Sequence, residues 1–293
     1  MLKLVSILFS ILLLFSACSS PYDKQLKVSV NAWVGYSPLF YAYDKGWLDE
    51  YNIKVLNVVS LAESMYIYNA KNADAFSGTQ YEYSEVKKRE PNLTPIMMFD
   101  QSYGGDMVMG NRALSEYESN NEKIDTYLEI NSVNSLILKD FINYHKIDAK
   151  NINYINMDQE SISALKSNKN SAKSLIVTYA PYDTKLKHSG FKTLASTKES
   201  LSITVIDGLY TTQKVLTKNQ EQFKALKIQT DRAIEALKKD PKEFHSHVKH
   251  YLQNISYEEF EATLGDIKWI NQEIPQELSK QIKEMDFPLN GLI

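Results

Sequence analysis

Cysteine is almost missing from this chain of 293 residues: Cys18 is the only one. A single cysteine forms no internal disulfide and no Cys-rich zinc site. A basic surplus is missing as well. Lys and Arg number 33 against 36 Asp and Glu, a formal net charge of -3. Without a basic excess the chain lacks the electrostatic footprint of a nucleic-acid binder, and no nucleic-acid partner is expected. Beyond the first 17 residues no apolar run is long enough to read as a membrane span. No Ser-His-Asp order, Walker loop or dinucleotide glycine fingerprint occurs, so no catalytic residue and no cofactor is expected. Tyrosine, by contrast, is abundant: 19 against 11 Phe and 3 Trp. Its apolar ring and polar tip suit surfaces that bind something. The hydrophobic fraction of 43% and charged fraction of 24% are globular values. The length allows one large domain or two ordinary ones, each with a real core.

Residues 1–17 carry Lys3 and then an apolar run from Leu4 to Phe15, broken only by Ser6 and Ser10. The run is short for a membrane span and right for the core of a signal peptide. Ser16 and Ala17 precede Cys18, an arrangement that resembles a bacterial lipobox, with Phe15 where Leu is usual. The resemblance implies cleavage before Cys18, lipidation of its thiol and a polar tether over 18–26. The mature protein would then sit on the periplasmic side of the cell envelope, held to the membrane by lipid. A plain N-terminal anchor, or a signal cleaved elsewhere, are the other readings of this segment.

Strand and helix signals alternate along the mature chain. Lys27 to Trp33 alternates like a strand, and Ser37-Pro38 reads as an N-cap followed by a first helical residue. A helix over 39–48, a strand over 53–59, helices over 62–70 and 80–89 and short strands over 73–76, 96–99 and 107–109 follow. The alternation resumes with strands over 124–130, 151–156, 174–178 and 191–195 and helices over 132–145, 159–167 and 181–187. This pattern predicts an α/β protein with two parallel or mixed sheets flanked by helices. From Lys218 the chain turns helical, over 220–239, 241–253, 256–264 and 275–285; Ser256 with Glu259 fits a capping box. The expected division is lobe 1 over 27–105, lobe 2 over 106–204, and a return to lobe 1 with C-terminal helices over 205–293.

The stretch Ala32-Trp33-Val34-Gly35-Tyr36-Ser37-Pro38-Leu39-Phe40-Tyr41-Ala42, with Lys45-Gly46-Trp47-Leu48 and Ile53-Lys54-Val55, resembles the opening of the nitrate/sulfonate/taurine-binding family. That group includes binders of thiamine-pyrimidine precursors. Ala73 to Thr79 is similar to the family's strand-to-loop "DA" element, and Ser102 to Met109 to its crossing into the second lobe. Val177 to Tyr182 and Val205 to Gly208 are similar to the second lobe's Tyr/Pro loop and the return crossing. Where the second lobe opens, Lys123 to Ser132 lacks the glycine the family usually has. The resemblance covers about residues 27–210. It implies a bilobed periplasmic-binding fold that holds a small molecule between its lobes, closes by hinge bending and hands its ligand to an ABC permease in the inner membrane as a monomer.

In open α/β sheets ligands sit beyond the carboxyl ends of strands. That rule selects Trp33, Tyr36 and Ser37 after the first strand, Glu63 and Ser64 after the second, and Gly78 and Thr79 after the third. It adds Ser102 and Asp106 at the first crossing, Ser132, Tyr179 and Tyr182 in the second lobe, and Asp207 at the return. These loops hold acids and aromatics but no Lys or Arg. Acids with aromatics suit a neutral heteroaromatic or an amine, held by stacking, cation–π contact and a carboxylate. The expected ligand is therefore a heteroaromatic or amine-type nutrient rather than a sulfonate, taurine or nitrate. A periplasmic ligand-sensing subunit is the alternative, and an enzyme on the same fold a third reading. Relatives that make pyrimidines carry a Cys-rich motif, which the single Cys18 rules out. His245, His247 and His250 lie close together, but no acid or Cys completes a metal set, and a solvated helix face is the expected role.

Overall fold

The computed structural model describes residues 22–118, 122–168, 172–285, 287–289 and 291–293. The signal-like segment and Cys18 lie outside the described residues. The chain begins with three parallel-laid βα units. Strand β1 (Leu26–Asn31) leads to helix α1 (Ser37–Asp44), β2 (Ile53–Val58) to α2 (Leu61–Asn69), and β3 (Ala75–Thr79) to α3 (Gln80–Lys87). Strand β4 (Leu93–Ser102) then crosses to a second body built from β5 (Asp106–Gly110), α4 (Leu114–Glu118), β6 (Ile124–Leu128), α5 (Asn134–Tyr144), β7 (Ile152–Asn156), α6 (Gln159–Ser163), β8 (Ser174–Tyr179), α7 (Tyr182–His188) and β9 (Lys192–Ser196). The chain returns through β10 (Ile206–Thr212) and closes with α8 (Gln213–Lys218), α9 (Gln220–Lys239), α10 (Pro241–Val248), α11 (Tyr257–Leu264), β11 (Ile267–Trp269) and α12 (Gln276–Glu284).

Both sheets are mixed. The first has the order β11-β4-β10-β3-β1-β2 and the second β7-β6-β8-β5-β9. We call them, with their helices, lobe 1 and lobe 2. In lobe 1, β1 runs parallel to β2 and β3, while β10 lies antiparallel between β3 and β4. In lobe 2, β6 is parallel to β7 and β8, and β5 is antiparallel to β8 and β9. The central strands β3, β4, β5, β8 and β10 are almost wholly buried, whereas the edge strands β2, β7 and β9 mix buried and exposed positions. The C-terminal helices pack on lobe 1. Helix α9 buries Phe223, Leu226, Ala233 and Leu237 along one stripe. Tyr41 of α1 stacks on Phe244 of α10 at 4.5 Å, and the Arg232 guanidinium lies 3.7 Å over the Trp47 ring.

Several elements differ from the sequence-based expectation. Strand β4 spans ten residues, because Pro95 and Asp100 are accommodated inside a buried antiparallel ladder. Strand β11 and helix α8 were too short to stand out by periodicity. Helix α10 stops at Val248 rather than running to 253. Ser37 does not cap α1: it is the first helical residue, Tyr36 holds the cap position, and the Ser37 hydroxyl is buried without a side-chain or backbone partner.

Candidate functional site

The topology brings the carboxyl ends of both sheets face to face. In lobe 1, Asn31 ends β1 and Thr79 ends β3. Because β10 is antiparallel, its start lies at the same edge: Asp207 pairs with Thr79 on one side and with Asp100 of β4 on the other. In lobe 2, Asp106 at the start of β5 pairs with Tyr179 at the end of β8. Glu129 follows the end of β6. Asn31, Trp33, Leu61, Thr79, Asp106, Tyr179 and Asp207 enclose a cavity of about 10 Å³ between the lobes, room for about one water molecule. The cleft is thus closed.

Aromatic rings form the walls. Trp33 is buried, meets Tyr179 edge-on at 6.1 Å, and donates from Nε1 to both oxygens of Asp100 at 3.2 and 3.3 Å. This seat needs Gly35, since a Cβ there would lie 2.1 Å from Asp100 Oδ2. Tyr36 is fully buried against Phe99 and donates to Asp207 Oδ1 at 2.6 Å and to the Gly78 carbonyl at 3.2 Å. The Tyr179 hydroxyl accepts from Asn31 Nδ2 at 3.3 Å, and Tyr182 donates to the Val59 carbonyl at 2.6 Å. Both of these bonds join the lobes.

Five carboxylates are buried here: Asp106 and Asp207 line the cavity, and Glu82, Asp100 and Glu129 lie outside its lining. Among the described residues none of the five has a Lys, Arg or His ion-pair partner. Burial disfavours their charged forms. It holds Asp207 well above the usual carboxylate range, with the charges of Asp100 and Asp106 adding to the effect. Asp100 is held high by burial and by Asp106. Burial pushes Asp106 up to about 7 against the pull of the Ser102 hydroxyl, and Glu129 up to about 8. Glu129 Oε2 has no hydrogen-bond partner. Glu82 is raised by burial despite the bonds from Thr79 and Val133.

The remaining sequence-selected residues fall around this centre. Ser102 accepts from the Asp106 amide at 3.0 Å and bonds Thr197 at 2.8 Å, which ties the two inter-lobe crossings together. Gly104, in the first crossing, has φ +125, a conformation that glycine supplies at little cost. Gly208, by contrast, is paired on both sides inside β10. The Ser132 hydroxyl accepts from the Asn134 amide at 3.2 Å, one residue before Val133, which holds the cap position of α5 without a side-chain capping bond. Ser64 bonds the Ser29 and Ser77 carbonyls beneath the β-sheet edge. Glu63 sits outside the enclosed cavity: it accepts from the Val59 amide at 2.7 Å and lines an open surface groove of about 590 Å³ between α2 and α3, with Tyr66, Lys88 and Asn131. That groove is larger, but it gathers no buried acid.

Sequence reasoning passed over Asp100 and Glu129 and noticed Glu82 only as a neighbour. Asp100 was detectable as the acid closing an apolar run, Pro95 to Phe99. Glu129 stands one residue past β6, where the carboxyl-end rule points. On the far surface, His247 sits between Asp44 at 2.6 Å and Glu243 at 3.0 Å, and His245 faces the Ile255 carbonyl. No group of three metal-ligating side chains occurs among the described residues. Nor is any helix among them long and apolar enough to cross a membrane.

No known family profile and no curated protein matches the sequence. Solved structures do. The ligand-binding component of an ABC-type import system from Staphylococcus aureus, with zinc bound, is 15% identical, with a TM-score of 0.67 over 90% of this chain and 92% of that one. The alkanesulfonate-binding protein from Xanthomonas axonopodis pv. citri, bound to MOPS, is 11% identical, with a TM-score of 0.69 over 89% and 90%. The periplasmic nitrate-binding protein from Synechocystis is 11% identical, with a TM-score of 0.64 over 89% and 76%. The chain is therefore built on the two-lobed periplasmic-binding-protein fold, which it shares with ligand-binding components of ABC importers.

Proposed function

We propose that the protein is an extracytoplasmic solute-binding component of an ABC importer and that its solute is a small organic amine, cationic or carried on a heteroaromatic ring. One observation carries this reading. Five carboxylates are buried in and around the cleft, two of them, Asp106 and Asp207, lining its cavity beside Trp33 and Tyr179, and among the described residues no basic side chain pairs with any of the five. A buried acid cluster without a cation is incomplete as electrostatics. An ammonium or amidine-like group supplies the missing charge, and aromatic faces add about 0.5–2 kcal/mol of cation–π attraction. An anion would instead meet five acids. The sulfonate- and nitrate-binding neighbours share the fold at 11% identity.

The solute enters with the lobes apart, since the closed cavity is about 10 Å³. Closure brings Asp106 and Tyr179 of lobe 2 onto Asn31, Trp33 and Asp207 of lobe 1, and the permease reads the closed state. Lipid on Cys18, with 18–26 as tether, holds the protein at the membrane. Titration calorimetry against a panel of protonated amines, aminopyrimidines, taurine and nitrate tests the ligand class. Binding confined to taurine, nitrate or alkanesulfonates overturns it. Release of a Cys18→Ser variant from the membrane fraction tests the anchor.

A further inference from the structure

Glu82 is an acid of lobe 1 whose two oxygens bond to both lobes. It is the third residue of α3 and completes a capping box: Thr79 N donates to its Oε2 at 2.9 Å, and the Thr79 hydroxyl bonds the same oxygen. Its other oxygen leaves the lobe. Oε1 accepts from the backbone amide of Val133 in lobe 2 at 2.9 Å. Val133 holds the cap position of α5, an eleven-residue helix, and the Ser132 hydroxyl before it accepts from the Asn134 amide. Free amides at a helix N-terminus are a ready seat for an anion. Here the occupant is a side chain of the opposite lobe, fully buried. Gly78 makes room for it, since a Cβ there would lie 2.9 Å from the Glu82 Cβ.

A second capping box serves as an internal control. Glu259 of α11 accepts from the Ser256 amide at 2.7 Å, as Glu82 does from Thr79. Its second oxygen faces His188 of lobe 2 at 3.3 Å, with both side chains partly or largely exposed. A capping box thus accounts for one oxygen of Glu82. It does not account for a buried carboxylate that reaches across the cleft to a backbone amide.

We infer that Glu82 is a tethered anionic ligand: its carboxylate fills the N-terminus of α5, clasps the two lobes together and denies that seat to anions from solution. The inference rests on reading the cleft as a solute site, but concerns a different question, what the α5 terminus holds. Amine titration of the wild-type protein addresses that reading. The clasp is addressed by scattering from the solute-free protein.

The experiment compares wild type, Glu82→Ala and Val133→Pro by small-angle X-ray scattering, with and without sodium formate. Proline suits position 133, where φ is -52, and removes the amide, together with part of the buried Val133 side chain. Both variants are expected to show a larger radius of gyration than wild type. Formate, a free carboxylate of the right size for the emptied seat, should restore the compact form of Glu82→Ala. It should leave Val133→Pro open, because that seat has lost its donor, and leave wild type unchanged. If both variants scatter as wild type does, or if formate fails to close Glu82→Ala, the assignment is wrong. Should Glu82→Ala not fold, the scattering of Val133→Pro decides alone.

Discussion

The molecule contains two acid clusters that look alike in composition and differ in completion. On the outer face, Asp44 and Glu243 are matched within the chain: Lys45 reaches Glu243 at 3.1 Å, and His247 lies between the two acids. Between the lobes, Glu82, Asp100, Asp106, Glu129 and Asp207 are deeper and have no such partner. Where acids serve structure, the fold brings its own cations. Where it leaves them unmatched in a closed cleft, at several kcal/mol per buried charge, the partner is expected from outside. The contrast separates an acid that holds α1 to α10 from acids that, in the proposed function, select a solute.

The sharpest way to break this contrast is to remove one acid from each cluster. Asp207→Asn or Asp106→Asn should weaken amine binding by about 2–5 kcal/mol, because the ligand cation loses a buried counter-charge. Glu243→Gln should leave calorimetric affinity unchanged. Equal affinity across all three variants would show that the two clusters do not differ in role.

A second test uses protons. Burial pushes Asp106 up to about 7 and Glu129 up to about 8, well above the ordinary carboxylate range. Between that range and these values the folded protein binds more protons than the unfolded chain, so stability falls as pH rises. The stabilisation is complete below about pH 4 and lost through pH 7 to 8, on the order of 4–5 kcal/mol per group at most. The melting temperature of the ligand-free protein should therefore drop from pH 5 to pH 8. Affinity for a quaternary ammonium compound, whose own charge is fixed, should rise over the same interval. Calorimetry in buffers of different ionisation enthalpy should record proton release on binding. A flat profile would mean that the cleft acids are already ionised and matched.

A smaller effect is expected from Tyr182→Phe, which deletes the hydroxyl bonded to the Val59 carbonyl across the cleft. It should cost about 0.5–1.5 kcal/mol of closure, seen as weaker amine binding with an unchanged melting temperature. Smallest of all should be Asp44→Asn, which removes an exposed partner of His247; chemical denaturation should register under about 1 kcal/mol.

Much of the fold was written in local pattern. β-branched runs and capping residues placed β1, β2, β3 and most of the helices, because those signals lie within a few residues of the element they create. Strand β11 and the full length of β4 were not local. Lys268 and Asp100 become strand residues by pairing with each other's neighbours far along the chain. The site divided in the same way. The lack of Lys and Arg in the cleft loops could be counted from sequence, and Asp106 and Asp207 were selected by the carboxyl-end rule. Asp100 was hidden inside an apolar strand, and its role depends on β10 laying Asp207 beside it. Glu82 reads as an ordinary capping residue until lobe 2 docks and Val133 arrives.

Strand β10 carries one more consequence. It fills the middle of the lobe 1 sheet, between β3 and β4, yet lies more than a hundred residues beyond β4 in the chain. Lobe 2 is contiguous, from β5 to β9. A chain emerging from its N-terminus can therefore finish lobe 2 while lobe 1 is still split, with β3 and β4 unable to meet until residue 212 appears. The lobe begun first is completed second, and the cleft cannot exist before β10 has joined β3 to β4.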